Sequence, residues 1–422
     1  MKVFANIYES KGILPLIYGL MKKTIPDQMD KKKFARWLSG ILGGEGNFQV
    51  FMDRKYLRAA FRIRLHSDDI STLYKIKEFL GVGNVTVNGS NCLYTISDLY
   101  SLKTVLLPLL DEYNLLTSKW LDYLDFKSVV NYLYTTGSSR LSADKLAWAS
   151  AIVNGMNSGR TVINSSLMPA ININSFWLLG FIEAEGTFGL KSLSPYFQLA
   201  QHSKNLILLE AIALNLKSLV KGITFSVTTP SPVISITLNK RTSVSVLSIG
   251  NIDALYDYLM HFLLDMPFQT RKGEDFYYWC LVLHMHKLGY FYLSEGRSLT
   301  ANIANYINKG RYSNNPNKSI APSIETINNV LSLTLPVALT PEMLHVDLAQ
   351  KFARGISTRN IWVYDNGVLV NEKPFTTFAA AMRAIGFSPT SVAGRRTIDT
   401  GKAVGGRYTF YSSPKSLGVQ NL

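Results

Sequence analysis

Glu45 and Glu185 each close an apolar stretch and are followed at once by glycine. An apolar run ending on glycine reads as a helix terminus with glycine in the left-handed cap position. The carboxyl end of a helix already carries about half a negative charge, so an acid there is unfavourable unless a cation compensates it. Magnesium, or manganese, would do so. Two such carboxylates brought together can hold divalent ions that activate water and stabilise a leaving oxygen, the requirements of phosphodiester hydrolysis. Gly40 and Gly180 lie about one turn earlier, where residues this small let two helix backbones approach until their terminal acids meet.

A single glutamate of this kind is ordinarily a solvated helix end, and it is duplication that points to chemistry. The segment WLSGILGGEGNF (residues 37–48) returns as WLLGFIEAEGTF (177–188), with Trp, Leu, Gly, Glu, Gly and Phe in the same register. Further on, LLTSKWLDYLDF (115–126) is echoed by PFQTRKGEDFYYW (267–279), which aligns Thr117 with Thr270 and Lys119 with Lys272. Self-similarity of this order makes the chain a repeat protein. Inside each copy the apolar helix leads to alternating strands, as in FRIRLH (61–66), where Arg62 and Arg64 share a face. A helix follows, and β-branched alternation around Asn88-Gly89 signals a second hairpin. In the second copy that hairpin is expected at residues 223–238, with Pro230 and Pro232 in its turn. Each copy therefore reads helix, hairpin, helix, hairpin, helix, an α+β arrangement.

The 422 residues, 47% of them hydrophobic, suffice for two or three domains with cores of their own. A formal charge of +15 makes a polyanion the expected partner, nucleic acid first and an anionic membrane second. No apolar run reaches the roughly 18 residues of a membrane span. The opening MKVFANIYESKGILPLIYGLMKK lacks a cleavage site or transit-peptide composition and reads as an N-terminal helix. Cys92 and Cys280 are far apart, without metal-ligand spacing, and are expected to be reduced core residues. The organisation expected is an N-terminal extension (1–30), repeat one (31–135), a linker (136–171), repeat two (172–312), a connecting segment (313–358) and a C-terminal unit (359–422).

LSGILGGEG and LLGFIEAEG resemble the paired motifs of single-chain LAGLIDADG homing endonucleases, a family that includes organelle intron maturases. FRIRLHSDD, FQLAQHSKN and the two T-x-K elements extend the resemblance over roughly residues 31–312. It implies two pseudo-symmetric αββαββα repeats forming a saddle of strands over double-stranded DNA with a long target site, in a monomer. It implies metal held by Glu45 and Glu185 with the carbonyls of Gly44 and Ala184, and active-site water organised by Lys119 and Lys272. The earlier motif acid is Gly43 in copy one; in copy two it is Glu183, expected to cap or to face solvent. Gln201 matches a polar residue near the cleavage site, whereas copy one has Leu65 there, so unequal strand cleavage is expected. The resemblance also points to an organelle, a fungal mitochondrion and its matrix. Group I intron RNA is the rival or additional partner, and a noncatalytic nucleic-acid-binding protein a further alternative.

Strands laid in a major groove present alternate residues to base edges, arginine favouring guanine and Gln or Asn favouring adenine. That alternation selects Asn47, Gln49, Arg58, Arg62 and Arg64 in copy one, and Thr187, Lys191 and Gln198 in copy two. The tail offers an apolar helix ending at Gly386, then a Ser-capped helix leading to Arg395 and Arg396. Its VYDN, PF, RRTIDTGK and YTFYS elements resemble the modular DNA-binding repeat found beside such cores, a helix-turn-helix-like unit.

Overall fold

The computed structural model describes residues 29–220, 232–335, 343–356, 360–388 and 397–414. Most of the N-terminal extension, with its expected helix, and both Arg395 and Arg396 lie outside the described residues. Repeat one runs α1 (Lys31–Glu45), β1 (Gly46–Asp53), β2 (Tyr56–His66), α2 (Ile70–Leu80), β3 (Asn84–Asn88), β4 (Asn91–Ile96), then a helix widened by a π turn at Leu102–Leu106, and α3 (Lys119–Thr136). After α4 (Ala143–Gly155), repeat two runs α5 (Ser175–Glu185), β5 (Gly186–Lys191), β6 (Ser194–His202), α6 (Leu206–Lys217), β7 (Ser235–Asn239) and β8 (Val244–Ile249). It too has a π turn, at Leu255–Met260, and closes with α7 (Lys272–Leu288). The sheets have orders β1-β2-β4-β3 and β5-β6-β8-β7, so the α+β fold and its pseudo-symmetry are as expected.

Alternation sets the core. Phe48, Phe61, Ile63, Tyr94 and Ile96 under the first sheet, and Phe188, Phe197, Leu199, Leu247 and Ile249 under the second, are each at most 1% exposed. Burying one such aliphatic or phenylalanine side chain stabilises the fold by roughly 1.5–3 kcal/mol. Residues 223–231 of the hairpin expected in repeat two lie outside the described residues, and its described end, Ser235–Asn239, pairs forward with Val244–Ile249. Both segments alternate, and period alone could not tell which neighbour was the partner. Pro230 lies outside the described residues, and Pro232 precedes β7 rather than turning the hairpin.

The repeats meet along α1 and α5. Asp30 caps α1 through the Lys33 amide (2.9 Å), and Asn174 caps α5 through the Phe176 amide (2.9 Å). Trp37, Leu38, Ile41 and Leu42 of α1 and Trp177, Leu178, Phe181 and Ile182 of α5 are all 4% exposed or less. A Cβ on Gly40 would lie 2.1 Å from the Trp177 carbonyl oxygen, and one on Gly180 would lie 2.1 Å from that of Trp37. The crossing is thus a reciprocal backbone contact that only glycine permits.

The pseudo-symmetry runs past residue 135, and the segment read as a linker belongs largely to repeat one. Asn157 donates to the Phe48 carbonyl (3.0 Å), and Arg160 pairs with Asp122 (2.7 Å). After α8 (Ser294–Tyr306), Asn308 donates to the Phe188 carbonyl (3.1 Å) and Arg311 pairs with Asp275 (2.7 Å) in the same way. MNSGR (156–160) and INKGR (307–311) are one motif, too short to be noticed among polar residues. Arg311 is 8% exposed and its pairing anchors this turn against α7.

Beyond it, α9 (Ile324–Leu331) and α10 (His345–Ile356) pack on repeat two, Phe352 stacking on Tyr292 at 4.8 Å. The C-terminal unit contains β9 (Trp362–Asp365), β10 (Val368–Leu369), α11 (Phe378–Ala384) and β11 (Tyr408–Tyr411), with sheet order β10-β9-β11. The first expected helix is present, and the second falls on residues outside the described set. The sheet was not expected, although Asn366 and Gly367, both at positive φ (47° and 89°), make the hairpin turn that Asn-Gly announces. Arg297 of α8 pairs with Asp399 at 3.1 Å, the two being 2% and 8% exposed, and Ser412 donates to the same carboxylate from its amide (2.7 Å) and hydroxyl (2.8 Å). Removing one partner of a buried pair costs about 3–5 kcal/mol. Asp399→Asn should therefore loosen the unit from α8, read as faster proteolysis between repeat two and the C-terminal unit in the variant than in the unaltered protein.

Candidate active site

Both motif helices end at their glutamates, but not by the expected cap. Gly46 (φ −69°, ψ 141°) and Gly186 (φ −74°, ψ 148°) are extended, so each chain passes directly from helix into strand. Glycine is required here for space. A Cβ would stand 2.7 Å from the Leu42 carbonyl at position 46, and 2.6 Å from that of Ile182 at position 186.

Because the helices cross so closely, their ends converge. A Cβ on Gly44 would lie 2.5 Å from that of Ala184 and 2.9 Å from Glu185 Oε1, so the Glu185 carboxylate rests against the backbone just before Glu45. Burial raises the Glu45 carboxyl above its ordinary range, and the charge of Glu185 raises it further, while Lys119 and Lys272 act against the shift. Burial lowers Lys119, opposed chiefly by Glu185 and Glu45. Burial likewise lowers Lys272, opposed by Asp275 first and then by Glu183, Glu45 and Glu185. Two carboxylates and two ammonium groups thus share one half-buried pocket.

The lysines do not start symmetrically. Lys119 Nζ donates to the Gly44 carbonyl, whereas Lys272 Nζ donates to the Gly186 carbonyl at 2.5 Å. A cation using the Gly44 oxygen would have to displace Lys119 from it. No group of three or more His, Cys, Asp or Glu side chains suited to a metal occurs among the described residues. The donor set here is two carboxylates and main-chain oxygens, a hard-oxygen set that fits a magnesium-like ion completed by phosphate and water.

Glu183 does not face solvent. It is 5% exposed and accepts from Trp37 Nε1 of the other repeat (3.0 Å) and from the amides of Gln269 (3.0 Å) and Thr270 (2.6 Å), just ahead of Lys272. In repeat one the matching residue is Gly43, and the indole nitrogen of Trp177, equivalent to that of Trp37, is buried with no partner among the described residues. Burial raises the Glu183 carboxyl to about 7, while the Thr270 side chain, the Gln269 and Thr270 amides and the Trp37 indole act against that. Glu183→Ala would strand three buried N–H donors, each worth about 1–3 kcal/mol. Its expected result is a fall in stability of about 3 kcal/mol or more, read from urea unfolding. A variant as stable as the unaltered protein would show that these contacts do not hold the two repeats together.

Residues at the strand ends hold the lysine helices from across the interface. Asp69 of repeat one accepts from the Arg271 amide (2.8 Å) beside Lys272, and Asn205 of repeat two accepts from the Ser118 amide (2.8 Å) beside Lys119. Gln201 pairs with Ser245 on the sheet face away from Gln198, and its Oε1 accepts from Asn205 (2.7 Å). It therefore belongs with the Lys119 half; Leu65 takes the matching place beside Asp69 and Lys272.

The strand register gathers the expected reading residues. Asn47 lies opposite Arg62 and Phe51 opposite Arg58, so Asn47, Gln49, Arg58, Arg62 and Arg64 share the face opposite buried Phe48 and Phe61. Thr95 and Asn84 continue that row beyond Arg62 and were not singled out from the sequence, although the hairpin alternation would have shown them. In repeat two Thr187 lies opposite Gln198, which donates to Ser248 Oγ (3.0 Å), and Lys191 lies opposite Ser194 on the same face. Cys92 and Cys280 are free and buried, as expected. No described helix is long and apolar enough to cross a membrane.

The LAGLIDADG endonuclease family matches residues 38–130 and 178–283, one stretch per repeat. The chain is 27% identical over 372 residues to "Uncharacterized mitochondrial protein RF1" of Saccharomyces cerevisiae, covering 83% of this chain and 76% of the relative. It is 28% identical over 194 residues to "Probable intron-encoded endonuclease 3" of Neurospora crassa, covering 38% and 36%. A similar match, 28% over 172 residues, links it to "Probable intron-encoded endonuclease Cox1-I1b" of Schizosaccharomyces pombe, covering 39% of this chain and 44% of that one. The chain thus spans less than half the length of both relatives named as endonucleases. Among solved structures, meganuclease I-SmaMI bound to uncleaveable DNA superposes with a TM-score of 0.56 at 24% identity, over 66% of this chain and 99% of that one. Homing endonuclease I-GzeII in complex with its DNA target gives 0.55 at 21%, over 65% and 98%. These likenesses show the fold.

Proposed function

Since the chain carries the LAGLIDADG endonuclease domain in two copies and is a two-repeat member of that family, we propose that it is an intron-encoded homing endonuclease making a site-specific double-strand cut in DNA. The observation that carries this reading is the pair Glu45 and Glu185, brought to one pocket by reciprocal glycine packing, between two sheets with polar outer faces.

Magnesium, or manganese, is the cofactor proposed, with Glu45, Glu185 and the carbonyls of Gly44 and Ala184 as its protein ligands. Such an ion supplies charge neutralisation at the phosphate and lowers the pKa of the attacking water. Lys119 and Lys272 offset phosphate charge, and Gln201 orients solvent in one half only, which supports unequal rates on the two strands. Asn47, Gln49, Arg58, Arg62 and Arg64 read one half-site, and Thr187, Lys191 and Gln198 the other, in a major groove. The C-terminal unit, with Arg395 and Arg396, adds contacts beyond the core's site. The protein acts as a monomer in the mitochondrial matrix.

The test is to incubate the protein with a library of long randomised DNA duplexes and Mg2+ and to sequence the ends produced. The reading expects one long site cut with a fixed stagger. Failure to cut any duplex with either ion, together with tight binding of a group I intron RNA, would replace it with RNA chaperoning.

A further inference from the structure

The two active-site halves differ in what is left free beside them. At the end of β2, His66 Nε2 is 3.0 Å from Asn314 Oδ1, and its ring lies 4.9 Å from that of Tyr312. Asp68 accepts from the Ser313 amide (3.0 Å) and hydroxyl and pairs with Arg271, whose guanidinium sits 3.8 Å over the Tyr312 ring. Asp69 also pairs with Arg271, at 3.0 Å. This strand end is therefore strapped to the chain that follows repeat two, and its charges are spent within the protein.

At the matching end of β6 the same positions carry His202, Lys204 and Asn205. Asn205 is buried and holds Gln201 and the Ser118 amide, but His202 and Lys204 are exposed. Lys204 has no side-chain hydrogen-bond or ion partner among the described residues. It lies within one short turn of Asn205, whose carboxamide reaches the residue before Lys119. An exposed cation one residue from the Asn205 contact to the Lys119 helix, with no carboxylate partner among the described residues, is suited to a polyanion.

We propose that Lys204 is a second phosphate-contacting cation, beside Lys119, of the half built from Lys119 and Gln201, and that the other half, with Asp68 and Asp69 in the equivalent places, has no counterpart. This rests on the endonuclease reading and goes beyond it, because it says which half is better equipped: the strand served by Lys119 is cut first.

The experiment follows nicking of each strand separately, on a duplex labelled at both ends, for the intact protein and for Lys204→Ala, Lys119→Ala and Lys272→Ala. Binding is measured across a salt series in parallel. Lys204→Ala should slow one strand about tenfold, as for loss of one charge-assisted contact, and leave the other within about twofold. The affected strand should be the one that Lys119→Ala suppresses, with Lys272→Ala suppressing the other. The slope of log affinity against log salt should shrink by about one. Equal slowing of both strands, an effect on the Lys272 strand, or no effect would overturn the proposal. If the intact protein cuts neither strand of any duplex, the endonuclease reading fails by itself, and an unchanged salt slope would remove Lys204 from the interface as well.

Discussion

Valine at Gly40 or Gly180 should leave the two repeats unable to dock. The added Cβ would lie 2.1 Å from a carbonyl oxygen of the opposite helix, and the obstacle is backbone, which cannot rotate away. Overpacked cores usually lose about 1–3 kcal/mol, but that range assumes that side chains can adjust. Here α1 and α5 must separate, exposing Trp37, Ile41, Trp177 and Phe181, which are at most 4% exposed when docked. A loss of about 4 kcal/mol or more, against a total stability of about 5–15 kcal/mol, predicts insoluble or largely unfolded protein. Gly43→Ala is the control, because its Cβ would be 3.4 Å from Thr117 Cγ2, an ordinary contact. It should fold and gain up to about 1 kcal/mol of helix propensity. Circular dichroism during heating separates the cases, and a Gly40→Val protein that melts like the unaltered one would refute the packing described.

Glutamine at Glu45 or Glu185 should do the opposite, sparing the fold and eliminating the chemistry. The replacement keeps shape but cannot hold a divalent ion, so cleavage should fall by about a thousandfold or more, as when a principal electrostatic group is lost. Binding should persist or tighten slightly, since one negative charge facing phosphate is gone. The raised Glu45 carboxyl adds a pH signature. Its neutral form is favoured in the fold by burial and by the Glu185 charge, so its contribution to stability is present below the usual carboxylate range and is lost as pH rises through the raised value. Near neutral pH, added Mg2+ should therefore raise the melting temperature of the unaltered protein and leave Glu45→Gln nearly unmoved.

How far the sequence revealed this site depended on whether each contact was local or duplicated. Glu45, Glu185 and the glycines before them were legible because the same pattern occurs twice, and strand alternation placed Arg58, Arg62 and Arg64 on one face without knowledge of pairing. Glu183 was not legible: its partners Trp37, Gln269 and Thr270 are remote in sequence, and an acid on an apolar helix reads as exposed until the facing indole is known. The strap over His66 and Asp68 was hidden for the same reason, because it joins β2 to Ser313 and Asn314 across the whole second repeat. Gly46 and Gly186 show a subtler limit. The residue type was informative, but its cause is contact with the carbonyl four residues back rather than a left-handed backbone.

Glu45 and Glu185 are proposed to perform metal-dependent hydrolysis together, and a single-turnover cleavage time course on the selected duplex tests this. The unaltered protein with Mg2+, the same protein with EDTA, and the Glu45→Gln and Glu185→Gln variants would be compared, with bound DNA measured in each sample. Complete cutting by the unaltered protein with Mg2+, and intact but fully bound duplex in the other three, is the predicted result. Cutting that survives either substitution, or that proceeds in EDTA, would contradict it.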